Sequence, residues 1–189
     1  MERSVVLAGF GGQGLLFCGQ VLAEAALREG REVSWMPSYG PEMRGGTASC
    51  TVIVSDRPIG SPIVDRADIV IALNPPSLAR FEPLVAPGGL LVVNTSLIEQ
   101  EVARDDIEVV GIAASALARE AGDDRLISIC ALGAALARRD IVSHAAIELA
   151  LAEVVGRKRP QLVAANLDAL SAGAAAAGAA AAAGATVTA

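Results

Sequence analysis

The sequence has few aromatic residues, one histidine and no closely spaced cysteines, and each shortage excludes a class of protein. Aromatic side chains make up only 3% of the 189 residues, so the core must be built from Val, Leu, Ile and Ala. No H-E-x-x-H zinc motif surrounds the single histidine, His144, and no nucleophile elbow occurs. Cys18, Cys50 and Cys130 lack the C-x-x-C spacing that holds zinc or an iron–sulfur cluster. We predict three buried, reduced thiols and no metal bound by this chain.

The sequence also has fewer basic than acidic residues, 15 against 21. The net charge is −6 and the isoelectric point is near 4.8, which argues against a nucleic-acid-binding surface. The N-terminal residues lead directly into a strand without the apolar segment of a signal peptide, and the alanine-rich C-terminus is weakly apolar for a membrane span. We therefore expect a soluble, cytoplasmic protein that binds neither nucleic acid nor a membrane.

The most informative stretch is an early glycine-rich turn, Gly9-Phe10-Gly11-Gly12-Gln13-Gly14. It lies between an apolar run and a segment with helical spacing, which is how α/β proteins present backbone N–H groups to an anion. The G-x-G-x-x-G spacing alone is a weak signal, because such a turn also serves simply to let a helix lie against a sheet. Gly11, Gly12, Gln13 and Gly14 are the candidate binding residues here.

A second loop, residues 38–46, combines turn-forming residues with aromatic, acidic and basic side chains. Ser38 and Tyr39 open it, Arg44 offers a planar donor fork for a carboxylate or phosphate, and Gly45 and Gly46 allow close backbone approach. In a doubly wound sheet, this loop and the glycine-rich turn are predicted to share the carboxyl edge of the strands. The alternative is that Arg44 forms an ordinary surface ion pair.

Strands alternating with helices predict an α/β fold, with a doubly wound, mostly parallel sheet and a helical C-terminal segment. The predicted strands are residues 4–8, 32–36, 47–55, 68–73, 90–94 and 107–112, and Pro37 is expected to stop the second one. Residues 1–173 are predicted to form the domain. Residues 174–189, rich in Ala and Gly, are predicted to be a disordered tail.

A dinucleotide site would also need an acidic residue at the end of the second strand, to hold the ribose hydroxyls. That strand ends in Trp35-Met36-Pro37-Ser38, and Glu32 lies at its beginning. This argues against a nicotinamide dehydrogenase. The glycine-rich turn is instead expected to meet another kind of phosphate or the backbone of another chain.

Three segments together resemble the gamma subunit of 2-oxoacid:ferredoxin oxidoreductases, most closely the 2-oxoglutarate type (2-oxoglutarate synthase). They are the glycine-rich turn, the segment Pro37-Ser38-Tyr39-Gly40-Pro41-Glu42-Met43-Arg44-Gly45-Gly46, and Ile59-Gly60-Ser61-Pro62. The resemblance covers residues 4–173. It implies a subunit of a complex that decarboxylates a 2-oxo acid on thiamine diphosphate with Mg, passes electrons through iron–sulfur clusters to ferredoxin, and forms an acyl-CoA.

The resemblance further implies alpha and beta, and in some complexes delta, subunits as partners, which carry the thiamine and cluster sites. This chain would then supply subunit packing and part of the coenzyme A site, with no catalytic residue of its own. Its two loops would contact a partner subunit or the coenzyme A phosphates. A purely structural assembly subunit and a free-standing nucleotide-binding oxidoreductase stay open as alternatives. Within the family, pyruvate, branched-chain 2-oxo acid and indolepyruvate enzymes are the alternatives.

Overall fold

The computed structural model describes residues 1–39, 47–155 and 159–182. Its centre is one six-stranded sheet with the strand order β2-β3-β1-β4-β5-β6. Only β3 runs against the other strands, so the prediction of a mostly parallel α/β sheet is confirmed. The strands are β1 (Glu2–Phe10), β2 (Glu32–Tyr39), β3 (Thr47–Ser55), β4 (Ala67–Ala72), β5 (Val85–Asn94) and β6 (Glu108–Ile112).

Helices cover the two faces of the sheet unequally. Residues Val5 and Leu7 of β1 point into the larger core, which most of the helices cover, whereas Val6 points into a smaller core beneath α2. The alternation follows from the period of two along a strand. The helices are α1 (Leu15–Arg28), α2 (Pro75–Phe81), α3 (Ala114–Glu120), α4 (Ile127–Arg138), α5 (His144–Val155) and α6 (Pro160–Ala182).

The second strand differs from its predicted form. It continues through Pro37 to Tyr39, so the expectation that Pro37 ends the strand is wrong. The reason is its position: β2 lies at the edge of the sheet, where a residue without an N–H can face away from the neighbouring strand. Sequence periodicity does not reveal which strand is at the edge.

The C-terminal helix also extends further than predicted. Residues 174–182 belong to α6, so the prediction of a disordered tail is wrong for them, while residues 183–189 lie outside the described part of the chain. Ala177 is fully buried, because α6 packs on α4 with Gly173 against the Cys130 carbonyl. Within α6, Pro160–Ala180 is long and apolar enough to span a membrane. In its 18-residue apolar window, 28% of the residues are buried. Core helices can be equally long and apolar.

Candidate functional site

The glycine-rich turn lies where the strand order changes direction. From β1 the chain proceeds through α1 to β2 on one side, whereas β4 pairs with β1 on the other side. In open α/β sheets, ligands bind at the carboxyl ends of the strands beside this switch point. The turn begins with Gly9 and Phe10, the last two residues of β1, and is therefore placed at the edge where a ligand is expected.

The turn holds its shape through Gln13 and two glycines. The Phe10 N–H donates to Gln13 Oε1 at 2.7 Å, and the Gln13 N–H donates to the Phe10 carbonyl at 3.3 Å. Gln13 is buried, and both its side-chain oxygen and its backbone N–H form hydrogen bonds inside the turn. Gly12 and Gly14 have φ of 98° and 79°, a region that side-chain-bearing residues rarely adopt. Gly11 and Gly12 are exposed, and it is their backbone that faces outward.

Gly14 fixes the turn to a distant part of the chain. A Cβ at this position would overlap the Arg125 carbonyl oxygen, just before α4, and would approach Ser128 Oγ. Gly14 is also the N-cap of α1, and no side chain caps the first turn of this helix. The first turn contains no acidic residue either. The positive end of the α1 dipole therefore lies next to the exposed turn without a neutralising carboxylate on the helix.

The end of the β2–β3 hairpin meets the turn at the same edge. Tyr39 is paired with Ala48, and Phe10 with Thr47, so the strand ends lie side by side. Ser38 is exposed at the end of β2, opposite Ser49. The shared edge is as predicted for Ser38 and Tyr39. Arg44, Gly45 and Gly46, the other predicted site residues of this loop, lie outside the described residues.

A groove of about 790 Å³ opens beside the turn, and we call it the edge groove. It brings Gly11, Gly12 and Gly14 together with the ends of α5 and α6, whereas Gln13 and Ser38 are not among its lining residues. Most of its wall is apolar. The apolar side chains come from Phe10, Leu15, Leu16, Phe17, Leu126, Val154, Val155 and Leu162, and the polar ones from Thr47, Asp123, Arg125, Arg159 and Asn166.

Polar groups of the groove come from residues that the sequence reasoning missed. Arg125 donates to both carboxylate oxygens of Asp123, at 3.0 Å from Nε and 2.6 Å from Nη2. This hydrogen bond holds the pKa of Asp123 below its ordinary value. Arg159 adds a second guanidinium. These residues are more than 100 positions from the turn in sequence, so no spacing motif could have connected them to it.

Asn166 adds a hydrogen-bond acceptor to the groove wall. Its Nδ2 donates to the Leu162 carbonyl at 2.7 Å, one turn earlier in α6. Its Oδ1 is buried and has no hydrogen-bond partner within the described residues. An unpaired buried acceptor costs free energy, which a ligand or partner that donates a hydrogen bond would recover. The groove wall is thus suited to a molecule with N–H or O–H donors.

A buried polar cluster around Asn94, which we call the polar clamp and which the sequence analysis also missed, joins the carboxyl ends of β4 and β5 to the first turn of α3. Asn94 Nδ2 donates to the Leu73 carbonyl at 3.2 Å and to Ser115 Oγ at 2.9 Å. Its Oδ1 accepts from the amides of Ser96 and Ser115, both at 3.3 Å. Asn94 is 1% exposed, and all four of its hydrogen-bonding positions are used. It holds the end of β5 to the end of β4 and to α3.

We expect Asn94→Ala to lower the free energy of unfolding by about 2–3 kcal/mol, because it leaves buried donors and acceptors unpaired. Ser96→Ala is the matched control, since Ser96 is exposed and its hydroxyl accepts only one long bond, 3.4 Å from the Ala116 amide. Its effect should stay within about 0.5 kcal/mol. Urea unfolding followed by circular dichroism measures both variants. Equal stabilities for the two would show that the clamp contributes nothing.

Among the described residues, the cysteines and the histidine are not arranged as a catalytic centre. Cys18, Cys50 and Cys130 are buried, as predicted. Burial raises the pKa of Cys18 well above its ordinary value, that of Cys50 to about 12 and that of Cys130 to about 11. Such thiols stay protonated and unreactive at neutral pH. His144 starts α5, where the Ser143 hydroxyl caps the helix by accepting from the Ala146 amide.

The sheet order strengthens the argument against a nicotinamide site. In a dinucleotide-binding fold, the second strand is the parallel neighbour of the first, and its end meets the ribose. Here the antiparallel β3 lies between β1 and β2. The end of β2 is therefore about 10 Å from β1, two strand spacings away.

Comparison with known proteins identifies the family. Residues 4–176 match the family model described as pyruvate ferredoxin/flavodoxin oxidoreductase. The chain belongs to this family. The gamma subunit of a keto/oxoacid ferredoxin oxidoreductase from Geobacter sulfurreducens has the same fold, with a TM-score of 0.79 and 28% identity over 94% of this chain and 99% of that one. This gamma-type chain therefore matches a whole gamma subunit from end to end.

Two longer relatives contain the same unit as part of a larger chain. Ketoisovalerate oxidoreductase subunit VorA from Methanothermobacter marburgensis is 43% identical over 136 residues, which are 72% of this chain and 28% of VorA. The 2-oxoglutarate:ferredoxin oxidoreductase of Magnetococcus marinus, solved with 2-oxoglutarate, coenzyme A and succinyl-CoA bound, has a TM-score of 0.85 and 27% identity. The match covers 94% of this chain and 31% of that one. The gamma-type chain thus spans less than a third of either relative.

Proposed function

We propose that this gamma-type chain is the gamma subunit of a thiamine-diphosphate- and iron–sulfur-dependent complex in the cytoplasm. The complex would oxidatively decarboxylate a 2-oxo acid to the acyl-CoA and reduce ferredoxin. The observation that carries the proposal is the end-to-end match with the Geobacter gamma subunit. The family match over residues 4–176 supports it independently.

In the proposed complex, the redox and decarboxylation chemistry is assigned to companion alpha and beta, and where present delta, subunits. Within the described residues, no three His, Cys, Asp or Glu side chains lie together as a metal site. The thiols are buried and protonated, so they do not offer ligands for a cluster. A subunit of this kind contributes by positioning cofactors that other chains bind.

We further propose that the edge groove faces coenzyme A. The exposed Gly11–Gly12 backbone and the uncapped start of α1 suit phosphate oxygens, and Arg159 adds positive charge at the same groove, where the charge of Arg125 is offset by Asp123. The apolar wall suits the long arm of coenzyme A, whose amide N–H groups match the unpaired Asn166 Oδ1. The Magnetococcus relative binds coenzyme A, which supports this assignment.

For the substrate, 2-oxoglutarate is the first candidate, because the Magnetococcus enzyme was solved with it. A branched-chain 2-oxo acid is the second candidate, favoured by the 43% identity with VorA. Substrate choice is expected to reside in the companion subunits that hold the thiamine. The gamma-type chain by itself therefore does not separate these candidates.

Purification of the native complex from its cells tests the proposal. A tag on this chain should recover alpha- and beta-type subunits of a 2-oxoacid oxidoreductase, identified by mass spectrometry. The recovered complex should reduce ferredoxin or viologen with coenzyme A and one member of a panel of 2-oxo acids. Recovery of the chain alone, together with turnover by it alone, would overturn the proposal in favour of a free-standing oxidoreductase.

A further inference from the structure

A small polar pocket lies at the amino-terminal edge of the sheet, opposite the edge groove. β1, β4 and β5 run parallel, and the pocket lies near the beginning of all three. It is lined by Arg3 of β1, Asp68 and Ile69 of β4, residues 86–89 of β5, and Arg139, which follows α4. We call it the amino-edge pocket. Its volume is about 190 Å³, space for about six water molecules, so it can hold a small ion or metabolite.

A bulge in β5 forms one wall of the amino-edge pocket. The register of β4 with β5 shifts between Ala67 and Ile69, and residues 86–89 of β5 bulge out of the pairing there. The Gly88 N–H donates to the Asp106 carbonyl at 2.7 Å, which ties the bulge to the loop before β6. Bulges interrupt pairing and redirect the chain, and they are common beside binding sites. The sheet itself therefore builds this pocket.

Arg3 brings an incompletely paired guanidinium to the pocket. Its Nε is buried and has no hydrogen-bond partner within the described residues. Its Nη1 lies 3.5 Å from Asp68 Oδ1, which is longer than a charge-assisted hydrogen bond. The side chain is 37% exposed, so part of it remains open to solvent. A guanidinium with unused donors gains free energy from a ligand that accepts hydrogen bonds.

Arg139 supplies a second guanidinium from the end of α4. Its Nη2 donates to the Gly88 carbonyl at 3.3 Å, so the group is held at the bulge. Its Nη1 donates to Glu108 Oε2 at 2.5 Å, and Glu108 Oε1 accepts from Arg138 Nε at 2.5 Å. One carboxylate therefore faces two guanidiniums, and these three side chains together carry one surplus positive charge.

Asp68 is the acidic residue of the pocket lining, and its carboxylate is already engaged. Its Oδ2 accepts from the Ser4 N–H and the Ser4 hydroxyl, both at 2.8 Å, and its Oδ1 faces Arg3. The three arginines just described carry three positive charges, against two negative charges on Asp68 and Glu108. This local surplus of positive charge, in a chain with a net charge of −6, favours an anion over a cation as the ligand.

We propose that the amino-edge pocket binds a small phosphate-type oxyanion between Arg3 and Arg139. A guanidinium presents N–H groups in a planar fork that matches the spacing of phosphate oxygens. The ligand is inorganic phosphate or the phosphate group of a small metabolite, since the pocket is small. This site goes beyond the proposed function and does not depend on it. Because a ligand that binds only the folded chain stabilises it, phosphate should raise the Tm.

Titration of the full chain with inorganic phosphate, followed by phosphorus NMR at constant ionic strength, tests the proposal. Arg3→Gln removes the incompletely paired guanidinium and should raise the dissociation constant at least tenfold. Arg119→Gln is the matched control, because the Arg119 side chain is 69% exposed on α3 and does not line the pocket. It should bind within twofold of the unmodified chain. No binding by the unmodified chain, or equal losses in the two variants, would overturn the proposal.

A pair of substitutions at Gly88 tests the same pocket without removing an arginine. Gly88 lines the pocket with φ of 73°, and a Cβ built there meets no atom within 4 Å. Gly88→Asp and Gly88→Asn impose the same backbone strain and have nearly the same shape, so they differ in charge. Gly88→Asp should bind phosphate at least tenfold more weakly than Gly88→Asn, because its carboxylate repels the anion. Equal binding by the two variants would contradict an anion in the pocket.

Two probes separate the sources of the phosphate group. Tighter binding of inorganic phosphate than of glycerol phosphate would assign the pocket to the free ion. Tighter binding of glycerol phosphate would assign it to a phosphorylated metabolite. In either case the probe should raise the Tm of the unmodified chain more than that of Arg3→Gln. Binding of neither probe would overturn the proposal and leave the subunit assignment in place.

Discussion

Gly173→Ala is expected to lower the free energy of unfolding by about 1–2 kcal/mol, although alanine is the better helix former. At this position a Cβ would overlap the Cys130 carbonyl oxygen of α4, and the reciprocal contact places Gly133 against the Leu170 carbonyl. The two backbones approach so closely that α6 would have to move away from α4. Overpacking of this kind costs about 1–3 kcal/mol, which exceeds the gain in helix propensity of about 1 kcal/mol.

Gly178→Ala is the matched control, five residues further along the same helix. No atom lies within 4 Å of a Cβ built at Gly178, so the substitution should raise stability by up to about 1 kcal/mol. In thermal unfolding, the Tm of Gly173→Ala should be lower, and that of Gly178→Ala higher, than the Tm of the unmodified chain. Displacement of α6 should also speed thiol labelling of Cys130. If Gly173→Ala were as stable as Gly178→Ala, the close packing of α4 and α6 would be refuted.

Gly12→Asp is expected to raise the KM for coenzyme A at least tenfold relative to Gly12→Asn in the assembled complex. The two side chains have nearly the same shape, and a Cβ at Gly12 meets no atom within 4 Å. Both variants impose the same strain at φ of 98°, so they differ only in charge. A carboxylate beside bound phosphates repels them, whereas a carboxamide does not. A tenfold change corresponds to about 1.4 kcal/mol.

Steady-state ferredoxin or viologen reduction, with coenzyme A varied at saturating 2-oxo acid, measures the difference. The KM for the 2-oxo acid should be the same in both variants, and added salt should reduce the gap in the KM for coenzyme A. A purely structural assembly subunit predicts that Gly12→Asp and Gly12→Asn share one KM for coenzyme A. That result would remove coenzyme A from the edge groove while leaving the subunit assignment in place.

The sequence located most of the elements because their signals are local. Apolar runs bounded by glycine and proline gave the strands, and the caps of α5 and α6 at Ser143 and Pro160 are where the pattern indicated. The predictions that were wrong depended on contacts with residues far away in the sequence. Pro37 is tolerated because β2 is an edge strand, and residues 174–182 stay helical because α6 continues across α4.

The candidate site divides in the same way. The glycine-rich turn and the segment that begins at Ser38 were predicted to share one edge, from their motifs and from the rule that parallel strands end at the same edge. Arg125, Arg159 and Asn166 were not, because they enter the edge groove from two other segments of the chain. Gln13 was predicted to bind a ligand, but its backbone N–H and its side-chain oxygen form hydrogen bonds that hold the turn together.

What the sequence alone determined is the α/β class, the glycine-rich turn and the resemblance to the gamma subunit, because each depends on residues that are neighbours in the chain. Only the tertiary structure decided that an antiparallel strand separates β1 from β2, and that α4, α5 and α6 build a groove against the turn. These features depend on which residues packing brings together, and spacing along one chain does not encode that directly.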